Sequence, residues 1–396
     1  MRITVVTPVF PTSAEAHRGK SIYNIVRRLQ RHAKVDVVCT VLTYPLLPLV
    51  RSPSMRNGPV DTNYSPEGVC VRYLKYPGFP VISRPLNAVS CRAAIKSHVK
   101  SLDPDLVLAY WVQPEGHAAI AIGRGLNVPV IVGALGSDLR LTKGIGKYLA
   151  KRAVTRADYV LTVSEGLRRA AISFGAPAGR VKTIHNGCDR SIFYPRDRSA
   201  CRAKLGIDPS TRLVLFVGWL APLKGVPELL AAFAQVRRQV PNAELACIGE
   251  GPLKGFLSAT ARAGGVRALG SKTSHEIADW LGASDLFCLP SRSEGCPNVV
   301  VEALSSGRAV IGTEVGGIPE LVDGRSGILV PPRDATKLAR AICDGLDRTW
   351  NETAIAARMG RSWDDVADET YDVCLDVLAE HRRLAPGNAR LVTSDE

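Results

Sequence analysis

The sequence lacks the residue patterns that mark disulfide scaffolds, zinc sites and membrane spans. Its ten cysteines are scattered without a CxxC pair, and its seven histidines show neither HxxxH nor HExxH spacing. These absences argue against a disulfide framework and a metal site, and they favour reduced, buried thiols. No stretch approaches 18 consecutive apolar residues, so the sequence predicts no membrane-spanning helix.

A secretory leader is also missing from the expected place. The first ten residues, MRITVVTPVF, are typical of a buried strand, and their apolar run is too short and wrongly ended for a signal peptide. We therefore expect a cytoplasmic protein. Aromatic residues make up only 6% of the chain, but 46% hydrophobic content suits a well-cored globular protein, and 396 residues favour two domains.

Acidic side chains are scarce in the first half of the chain. Residues 1–186 hold 26 Lys and Arg against 10 Asp and Glu, a net charge of +16, whereas residues 187–396 hold 25 against 27, a net charge of −2. An excess of this size predicts an anionic partner for the first half: a membrane surface, a phosphorylated substrate or nucleic acid. The alternative is a solvated basic surface.

Both halves repeat a short apolar run, a turn rich in Gly, Pro or Ser, and a helical pattern. Alternation of this kind predicts parallel sheets covered on both faces, an α/β fold. We expect two doubly wound, Rossmann-like domains facing a shared cleft, with ligand groups in the loops at the carboxyl ends of the strands. The strand-like runs are RITVVTP, KVDVVCT, GVCVRYL, DLVLAY, PVIVGAL and YVLTVS in the first half, then RLVLFVG, AELACIG, DLFCLP, RAVIGT and GILVPP.

The turn-rich, charged stretch 184–210 marks the predicted boundary between the domains. We place the first domain at 1–186, the second at 187–365, and a helix with a frayed tail at 366–396. Residues 44–66 form a long irregular insertion whose front end is both apolar and basic. That combination suits docking on lipid as well as packing under a loop.

Two carboxylates bracket an apolar run in SEGCPNVVVEALSSG, residues 293–307. The pattern places Glu294 in a loop after a strand, Pro297 at the first helical position and Glu302 about one turn inside the helix. Free backbone N–H groups at such a helix start attract phosphate. A phosphorylated sugar ligand would offer sugar hydroxyls to one carboxylate and ribose hydroxyls to the other. The alternative is a loop-capping Glu294 and a solvated Glu302.

Two further loops of the second half suit a phosphorylated ligand. Lys224 and Gly225 follow an apolar strand and precede a helix, and a lysine there is a point charge well placed for a diphosphate. Gly249 and Gly251 end another strand, where the missing side chains let a base or ribose approach the backbone. A GxG pair by itself is weak evidence.

The first half carries candidate residues in corresponding places. Gly19 ends a loop that opens a helix, which is again a phosphate-facing arrangement. Asp138 lies in the small-residue turn VGALGSDLR, and His117 lies in WVQPEGHAAIAI. A lone histidine is more often packed or capping than catalytic. His185 and Asn186 begin the interdomain turn, where a structural role is favoured.

Together these motifs resemble the retaining glycosyltransferases of family four, also called glycosyl transferases group 1, which have the GT-B architecture of two facing Rossmann-like domains. The central motif is E-x7-E, here Glu294 to Glu302, within PSRSEGCPNVVVEALSSGRAVIGTEVGGIPELV. Around it stand VGWLAPLKG, IGEGP and IHNGCDRSIFYP. The resemblance is strong over about 184–345 and looser before it. It is specific for the family and not for a substrate.

The resemblance implies a role for each group. Glu294 would contact the donor sugar, Glu302 the ribose, and Lys224 would neutralise the departing nucleoside diphosphate. No metal or other cofactor would be needed, and the anomeric configuration would be retained by same-face attack within an oxocarbenium-like ion pair. The acceptor proton would pass to the leaving phosphate. The other donor-binding positions would be Gly295, Cys296, Pro297, Asn298, Gly251 and Gly19. The first domain would bind the acceptor and the second the nucleotide sugar, and the helix within 366–396 would cross back to the first domain.

Two positions depart from the family pattern. Trp219 stands where the family usually has an arginine, so one of two diphosphate cations is absent, and Arg292 is the candidate to compensate. Leu135 stands where many relatives have a histidine. On the acceptor side, Asp138 is preferred to His117 as a lining residue.

The sequence thus predicts an enzyme that moves a sugar from a UDP- or GDP-sugar to a hydroxyl acceptor. The basic first half favours a lipid-linked glycan or surface-polysaccharide precursor, with the protein peripheral on an anionic inner membrane face. One alternative is a nucleotide-sugar epimerase or phosphorylase of the same architecture. Another is a non-catalytic nucleotide- or nucleic-acid-binding protein, although no aromatic-basic interleaving or helix-turn-helix pattern supports nucleic acid as a partner.

Overall fold

The computed structural model describes residues 1–44, 60–78, 87–140, 144–261 and 264–384. Most of the predicted apolar-basic insertion and the predicted frayed tail lie outside the described residues. The chain forms two compact units. The first combines Met1–His185 with the segment that begins at Trp363, and the second is Asn186–Ser362.

The first unit contains a seven-stranded sheet within its described residues, and every strand pair is parallel. The strand order is β3-β2-β1-β4-β5-β6-β7, so the chain winds outward from β1 in one direction and then from β4 in the other. The strands are β1 Arg2–Thr7, β2 Lys34–Thr43, β3 Val71–Pro77, β4 Leu106–Tyr110, β5 Val130–Ala134, β6 Tyr159–Thr162 and β7 Val181–Thr183.

Helices connect these strands and cover the sheet. Strands β4 and β5 are buried at every position, as expected for a parallel sheet with helices on both faces. The helices are α1 Lys20–Leu29, α2 Asn87–Leu102, α3 His117–Leu126, α4 Ser137–Arg140, α5 Gly144–Arg156 and α6 Glu165–Ser173.

The second unit repeats this winding with a parallel sheet that has six strands within the described residues. Its order is β10-β9-β8-β11-β12-β13. The strands are β8 Arg212–Val217, β9 Ala243–Ile248, β10 Val266–Ala268, β11 Leu286–Leu289, β12 Ala309–Thr313 and β13 Gly327–Val330. The helices are α7 Arg198–Leu205, α8 Val226–Gln239, α9 Lys254–Ala261, α10 Ser274–Ala283, α11 Asn298–Ser305, α12 Ile318–Leu321, α13 Ala335–Asp347 and α14 Glu352–Arg358.

These two sheets confirm the predicted α/β class with two doubly wound domains. In such sheets a crevice opens at the carboxyl ends of the two strands where the winding direction reverses. That switch point lies between β1 and β4 in the first unit and between β8 and β11 in the second. The loops that follow these strands are therefore where each unit offers backbone and side chains to a ligand.

The last described helix, α15 (Trp363–Leu384), belongs to the first unit and packs against α1. Its buried residues recur at helical spacing and include Trp363, Val373 and Val377. At the edge of the contact, Asp364 forms ion pairs with Arg28 and Arg31. Nearby, His32 Nε2 lies 2.7 Å from Asp368 Oδ1. Within the described residues no helix has the length and apolarity needed to traverse a bilayer.

Candidate functional site

The charged centre of the second unit lies at its switch point. The loop after β8 ends in a 3₁₀ turn, Pro222–Lys224, and the loop after β11 contains Glu294. Lys224 Nζ lies 2.6 Å from Glu294 Oε1, so residues 70 positions apart meet in a close ion pair. The Glu294 side chain is 8% exposed and that of Lys224 is 27% exposed. The carboxylate is thus largely shielded from solvent, whereas the lysine side chain is partly exposed.

Hydrogen bonds within the acidic loop fix the carboxylate. Ser291 Oγ donates to Glu294 Oε1 at 2.5 Å, and Thr313 Oγ1 at the end of β12 donates to the carbonyl of Ser291 at 2.5 Å. A carboxylate held by two donors on one oxygen has little rotational freedom, which prepares its position before a ligand arrives. Sequence reasoning did not identify Ser291. The Ser-x-x-Glu spacing directly after an apolar strand is the signal that could have found it.

Two glycines let three loops approach each other closely enough to form this centre. Gly225 has φ +70°, and a Cβ there would lie 1.9 Å from the carbonyl oxygen of Pro290. Gly316, in the loop after β12, has φ +65°, and its Cβ would lie 2.1 Å from the carbonyl oxygen of Glu294. Backbone contacts this close exclude any side chain, so both positions require glycine for packing as well as for conformation.

The backbone between Glu294 and α11 is braced on both sides. Asn186 Nδ2 donates to the carbonyl of Cys296 at 2.9 Å and to Asn298 Oδ1 at 2.7 Å, and Gly317 N donates to the carbonyl of Gly295 at 2.7 Å. These hydrogen bonds occupy the carbonyl oxygens of Gly295 and Cys296 and hold the start of α11 in place. These hydrogen bonds give Asn186 a structural role within the second unit.

Helix α11 begins one residue later than the sequence predicts. Pro297 is the N-cap in extended conformation, and Asn298 is the first helical residue. Burial raises the pKa of the Cys296 thiol to about 12, so the thiol is neutral and this position offers a ligand only its backbone. Glu302 lies in the second turn and is partly exposed, close enough to Cys188 for its charge to raise the pKa of that thiol after the larger effect of burial.

Gly251 has a packing role in the structure. Its φ is +153°, and a Cβ would lie 2.4 Å from the carbonyl oxygen of Leu220 in the loop after β8. Leu220 N also donates to the carbonyl of Glu250 at 2.7 Å. Backbone contacts therefore hold the loops after β8 and β9 together. That contact explains the glycine, and the predicted approach of a base or ribose stays a prediction.

The candidate substitute for the missing arginine is held elsewhere. Arg292 Nη2 lies 2.6 Å from Glu228 Oε1 in the first turn of α8, and its backbone N donates to the carbonyl of Leu223. Its positive charge is therefore already balanced by a carboxylate. Trp219, in the usual arginine position, is 40% exposed. Lys224 is paired in the same way with Glu294, so each of these two cations lies beside its own carboxylate.

In the first unit, Gly19 shows the geometry expected of a tight loop-to-helix junction. It caps the start of α1 with φ +62°, and a Cβ would lie 2.3 Å from the carbonyl oxygen of Val9. The loop after β1 therefore folds back on itself at this glycine. Its predicted contact with phosphate stays a prediction.

Asp138 acts on the backbone of its own unit. Its buried carboxylate accepts hydrogen bonds from Gly136 N at 2.7 Å, Leu135 N at 3.2 Å and Val112 N at 3.2 Å. Burial raises its pKa even though these three bonds oppose the shift. Asp138 thus ties the loops after β4 and β5 together, and contact with an acceptor remains a prediction.

His117 begins α3 and faces α5. Burial and the charges of Arg152 and Arg156 lower the pKa of its imidazole, while a hydrogen bond with the backbone of Leu149 acts in the opposite direction. The neutral ring is the favoured form near neutral pH. This setting is that of a packed histidine between two helices, and a place on the acceptor side stays a prediction.

A buried polar cluster near the carboxyl end of β4 was missed by sequence reasoning. Glu115 is fully buried, and its Oε1 accepts a hydrogen bond from Thr40 Oγ1 at 2.7 Å. Its Oε2 and both polar side-chain atoms of Gln113 are buried, and within the described residues they find no partner. Burial raises the pKa of Glu115 to about 7. The signal available in the sequence was Gln113-Pro114-Glu115, which places two polar residues between an apolar strand and an apolar helix. Polar residues are rarely buried, so their position next to two apolar elements is unusual.

No group of three or more His, Cys, Asp or Glu side chains is placed to hold a metal ion in the part of the chain that the structure describes.

Comparison with protein families gives two adjoining matches. Residues 18–192 match the family described as Glycosyltransferase Family 4, and residues 211–348 match the one described as Glycosyl transferases group 1. Each match covers the core of one compact unit.

Named relatives give the same relationship. A protein of Bacillus subtilis named as a teichuronic acid biosynthesis glycosyltransferase is 30% identical over 351 residues, which are 86% of this chain and 88% of that protein. A D-inositol 3-phosphate glycosyltransferase of Streptomyces avermitilis is 32% identical over 297 residues, 69% of this chain and 62% of that protein.

Solved structures share the fold at lower identity. A sucrose-phosphate synthase from Thermosynechococcus elongatus superposes with a TM-score of 0.76 at 20% identity, over 96% of this chain and all of that one. The Anabaena protein HepE in complex with UDP-glucose superposes with a TM-score of 0.66 at 20% identity, over 97% and 98% of the two chains. The motifs, the two doubly wound sheets and these relatives lead to one assignment: the chain is a glycosyltransferase and belongs to glycosyltransferase family 4, the glycosyl transferases group 1.

Proposed function

We propose that this enzyme transfers a sugar from a UDP- or GDP-sugar to a hydroxyl acceptor, with retention of anomeric configuration and without a metal ion. The acceptor is a lipid-linked glycan or another surface-polysaccharide precursor, used by a protein that is peripheral on the inner face of the membrane. The observation that carries the proposal is the Lys224–Glu294 ion pair at the switch point of the second unit.

This pair suits a ligand that has both a diphosphate and a sugar. A diphosphate entering beside Lys224 would take over the ammonium group, and Glu294 would then accept hydrogen bonds from sugar hydroxyls in place of the lysine. Ser291 keeps the carboxylate positioned during that exchange of partners. Because the ammonium group is already held in place beside Glu294, it would stabilise the charge that develops on the leaving diphosphate without reorganisation.

The start of α11 supplies the other half of the donor site. Its free backbone N–H groups lie directly after the acidic loop and favour phosphate or sugar oxygens. Glu302, partly exposed in the second turn, would accept the ribose hydroxyls. The acceptor hydroxyl would give its proton to the leaving phosphate, so the reaction asks for no dedicated base.

The relatives support the choice of donor and acceptor. HepE was solved with UDP and with UDP-glucose, which favours a uridine donor over a guanosine one. The Bacillus subtilis relative is named for teichuronic acid biosynthesis, and the Streptomyces avermitilis relative for D-inositol 3-phosphate. An acid and a phosphate are both anionic, and the excess of 16 positive charges over residues 1–186 would attract an anionic acceptor.

The test is release of UDP or GDP from a panel of nucleotide sugars, in the presence of EDTA, by purified wild type and two variants. Lys224→Ala and Glu294→Gln should each lower the rate about 10²- to 10³-fold, since each removes a preorganised charge. Lys254→Ala is the matched control, because Lys254 forms a similar but exposed pair with Glu250 in the same unit. Its rate should stay within twofold of wild type.

Wild-type turnover in both site variants would refute the roles assigned to the pair. Loss of all activity in EDTA, restored by a divalent cation, would refute metal independence. Conversion of the donor to its sugar epimer without nucleotide release would replace sugar transfer by epimerisation.

A further inference from the structure

Helix α5 of the first unit presents an apolar stripe to solvent. Ile145 is 61% exposed and Tyr148 is 56% exposed, and their spacing of three residues puts them on one face of the helix. The opposite face packs into the unit through Ala150, Ala153 and Val154. Large apolar side chains exposed side by side on one helix face mark an interaction surface more often than an isolated one does.

Basic side chains border this stripe and continue it along the helix. Lys147 and Lys151 lie along one edge, and Lys147 Nζ stands 5.6 Å from the ring centre of Phe174 at the end of α6. Arg152 continues the line of the stripe one turn beyond Tyr148, and its Nη1 is 3.3 Å from the Tyr148 hydroxyl. From residue 139 to residue 157 the sequence contains no Asp or Glu. The stripe therefore sits in a positive field that no neighbouring carboxylate of α5 weakens.

We propose that α5 is the surface through which this protein docks on an anionic lipid bilayer, with Ile145 and Tyr148 entering the headgroup region. An apolar face with lysines and arginines on its flanks is the pattern of helices that lie in the plane of a membrane interface. Tyrosine suits that depth because its ring is apolar and its hydroxyl stays hydrated. The choice of a lipid partner rests on the proposed function, and the location on α5 goes beyond it.

Charge complementarity decides the kind of membrane. Each basic side chain held near an anionic surface strengthens binding about fivefold, and the effect fades within a Debye length. Four basic residues on α5 would therefore give strong preference for bilayers that contain anionic lipid over neutral ones. Insertion of only two large side chains into a neutral bilayer would give weak binding.

Helix α2 offers a matched comparison in the same unit. It exposes Val89 at 66% and also carries basic residues, among them Lys96. However, it has one large exposed apolar residue instead of two adjacent ones. Equal changes on α2 and α5 therefore separate a specific docking face from a general effect of positive charge.

The experiment is co-sedimentation with phosphatidylcholine vesicles and with vesicles that also contain 30% phosphatidylglycerol, measured without any sugar nucleotide. Wild type should bind the anionic vesicles and release from them when salt rises to about five times the physiological level. The double variants Ile145→Ser/Tyr148→Ser and Lys147→Gln/Lys151→Gln should each lower the partition coefficient more than tenfold. Lys96→Gln/Lys100→Gln, which removes two exposed lysines at the same spacing from α2, should change it by less than fivefold.

Several results would overturn the assignment. These are equal binding to both vesicle types, unchanged binding by either α5 variant, and an equal loss in the α2 variant. Retention of oligonucleotides with no vesicle binding would assign the face to nucleic acid. Thermal unfolding of each variant excludes misfolding, and the lysine variant decides the matter if the apolar one does not fold. Because no donor is present, failure here leaves the result for sugar transfer unaffected.

Discussion

At the residue scale, two glutamates of this enzyme show how surroundings set the behaviour of the same side chain. Glu294 lies beside the Lys224 ammonium group and the Ser291 hydroxyl, so its negative charge is balanced. Glu115 is buried and accepts one hydroxyl hydrogen bond, from Thr40. Burial raises its pKa to about 7, although that hydrogen bond acts in the opposite direction. Glu294 thus lies beside a cation that balances its charge, whereas burial favours the neutral form of Glu115.

Glu115 therefore predicts a pH-dependent cost to stability. Its folded-state pKa of about 7 lies above the ordinary value of 4.5, so its favourable contribution is complete below pH 4.5 and is lost as the pH rises through 7. Glu115→Gln keeps the shape but cannot ionise. Relative to wild type, the variant should gain up to about 3 kcal/mol of unfolding free energy between pH 5 and pH 8. Urea unfolding at both pH values measures the difference, and parallel pH profiles would contradict it.

At the element scale, the candidate donor site depends on how three loops of the second unit interlock. The loops after β8, β11 and β12 meet where glycines allow backbone to touch backbone. Lys224 reaches Glu294 because Gly225 turns the chain beside Pro290. The position of the Lys224 charge therefore depends on Gly225, the glycine that follows it in the chain.

Gly225→Ala should damage both stability and activity. A methyl group would meet the Pro290 carbonyl oxygen at 1.9 Å with φ at +70°, so the loop must move or strain. We expect a loss of at least about 2 kcal/mol in unfolding free energy, together with reduced nucleotide release. Gly255→Ala is the control, because nothing lies within 4 Å of its Cβ position in α9. That variant should be neutral or gain about 0.5 kcal/mol.

Wild-type stability and activity in Gly225→Ala would show that the loops do not depend on this approach. A cost in Gly255→Ala equal to that in Gly225→Ala would point to a general effect of the substitution.

At the scale of the whole molecule, the chain does not form its two units in sequence. The second unit is inserted between β7 and α15, so the first unit is completed by residues that follow the second unit in the chain. Helix α15 buries a full apolar face in the core that β1, β2 and α1 begin. The stability of the N-terminal unit thus depends on the C-terminal helix.

Matched truncations on α15 test this dependence. Val377 is 4% exposed and faces the core, whereas Leu375 is 43% exposed on the same helix. Val377→Ala should lower the unfolding free energy by about 2 kcal/mol, from lost burial and the cavity left behind. Leu375→Ala should change it by less than about 0.5 kcal/mol. Equal effects in urea denaturation would mean that α15 is not docked as described.

Several features of this protein could be predicted because they are local. Apolar runs of strand length between helical patterns gave the α/β class, and loops at strand ends gave the positions of Lys224 and Glu294. Other features could not be predicted. Ser291 as a support for Glu294 and the engagement of Arg292 by Glu228 depend on which loops become neighbours. So does the start of α11, which shifted by one residue because Pro297 took the cap position.

By itself, the sequence determined the class of fold, the family and the loops that carry charge, because strand and helix patterns and short motifs lie within a few residues of each other. Only the tertiary structure decided that Lys224 lies beside Glu294 and that the Asp138 carboxylate accepts hydrogen bonds from three backbone amides. It also decided that Ile145 and Tyr148 remain outside the core. The physical reason is strand order. Which carboxyl ends become neighbours depends on how the whole sheet is wound, and no local stretch of sequence encodes that.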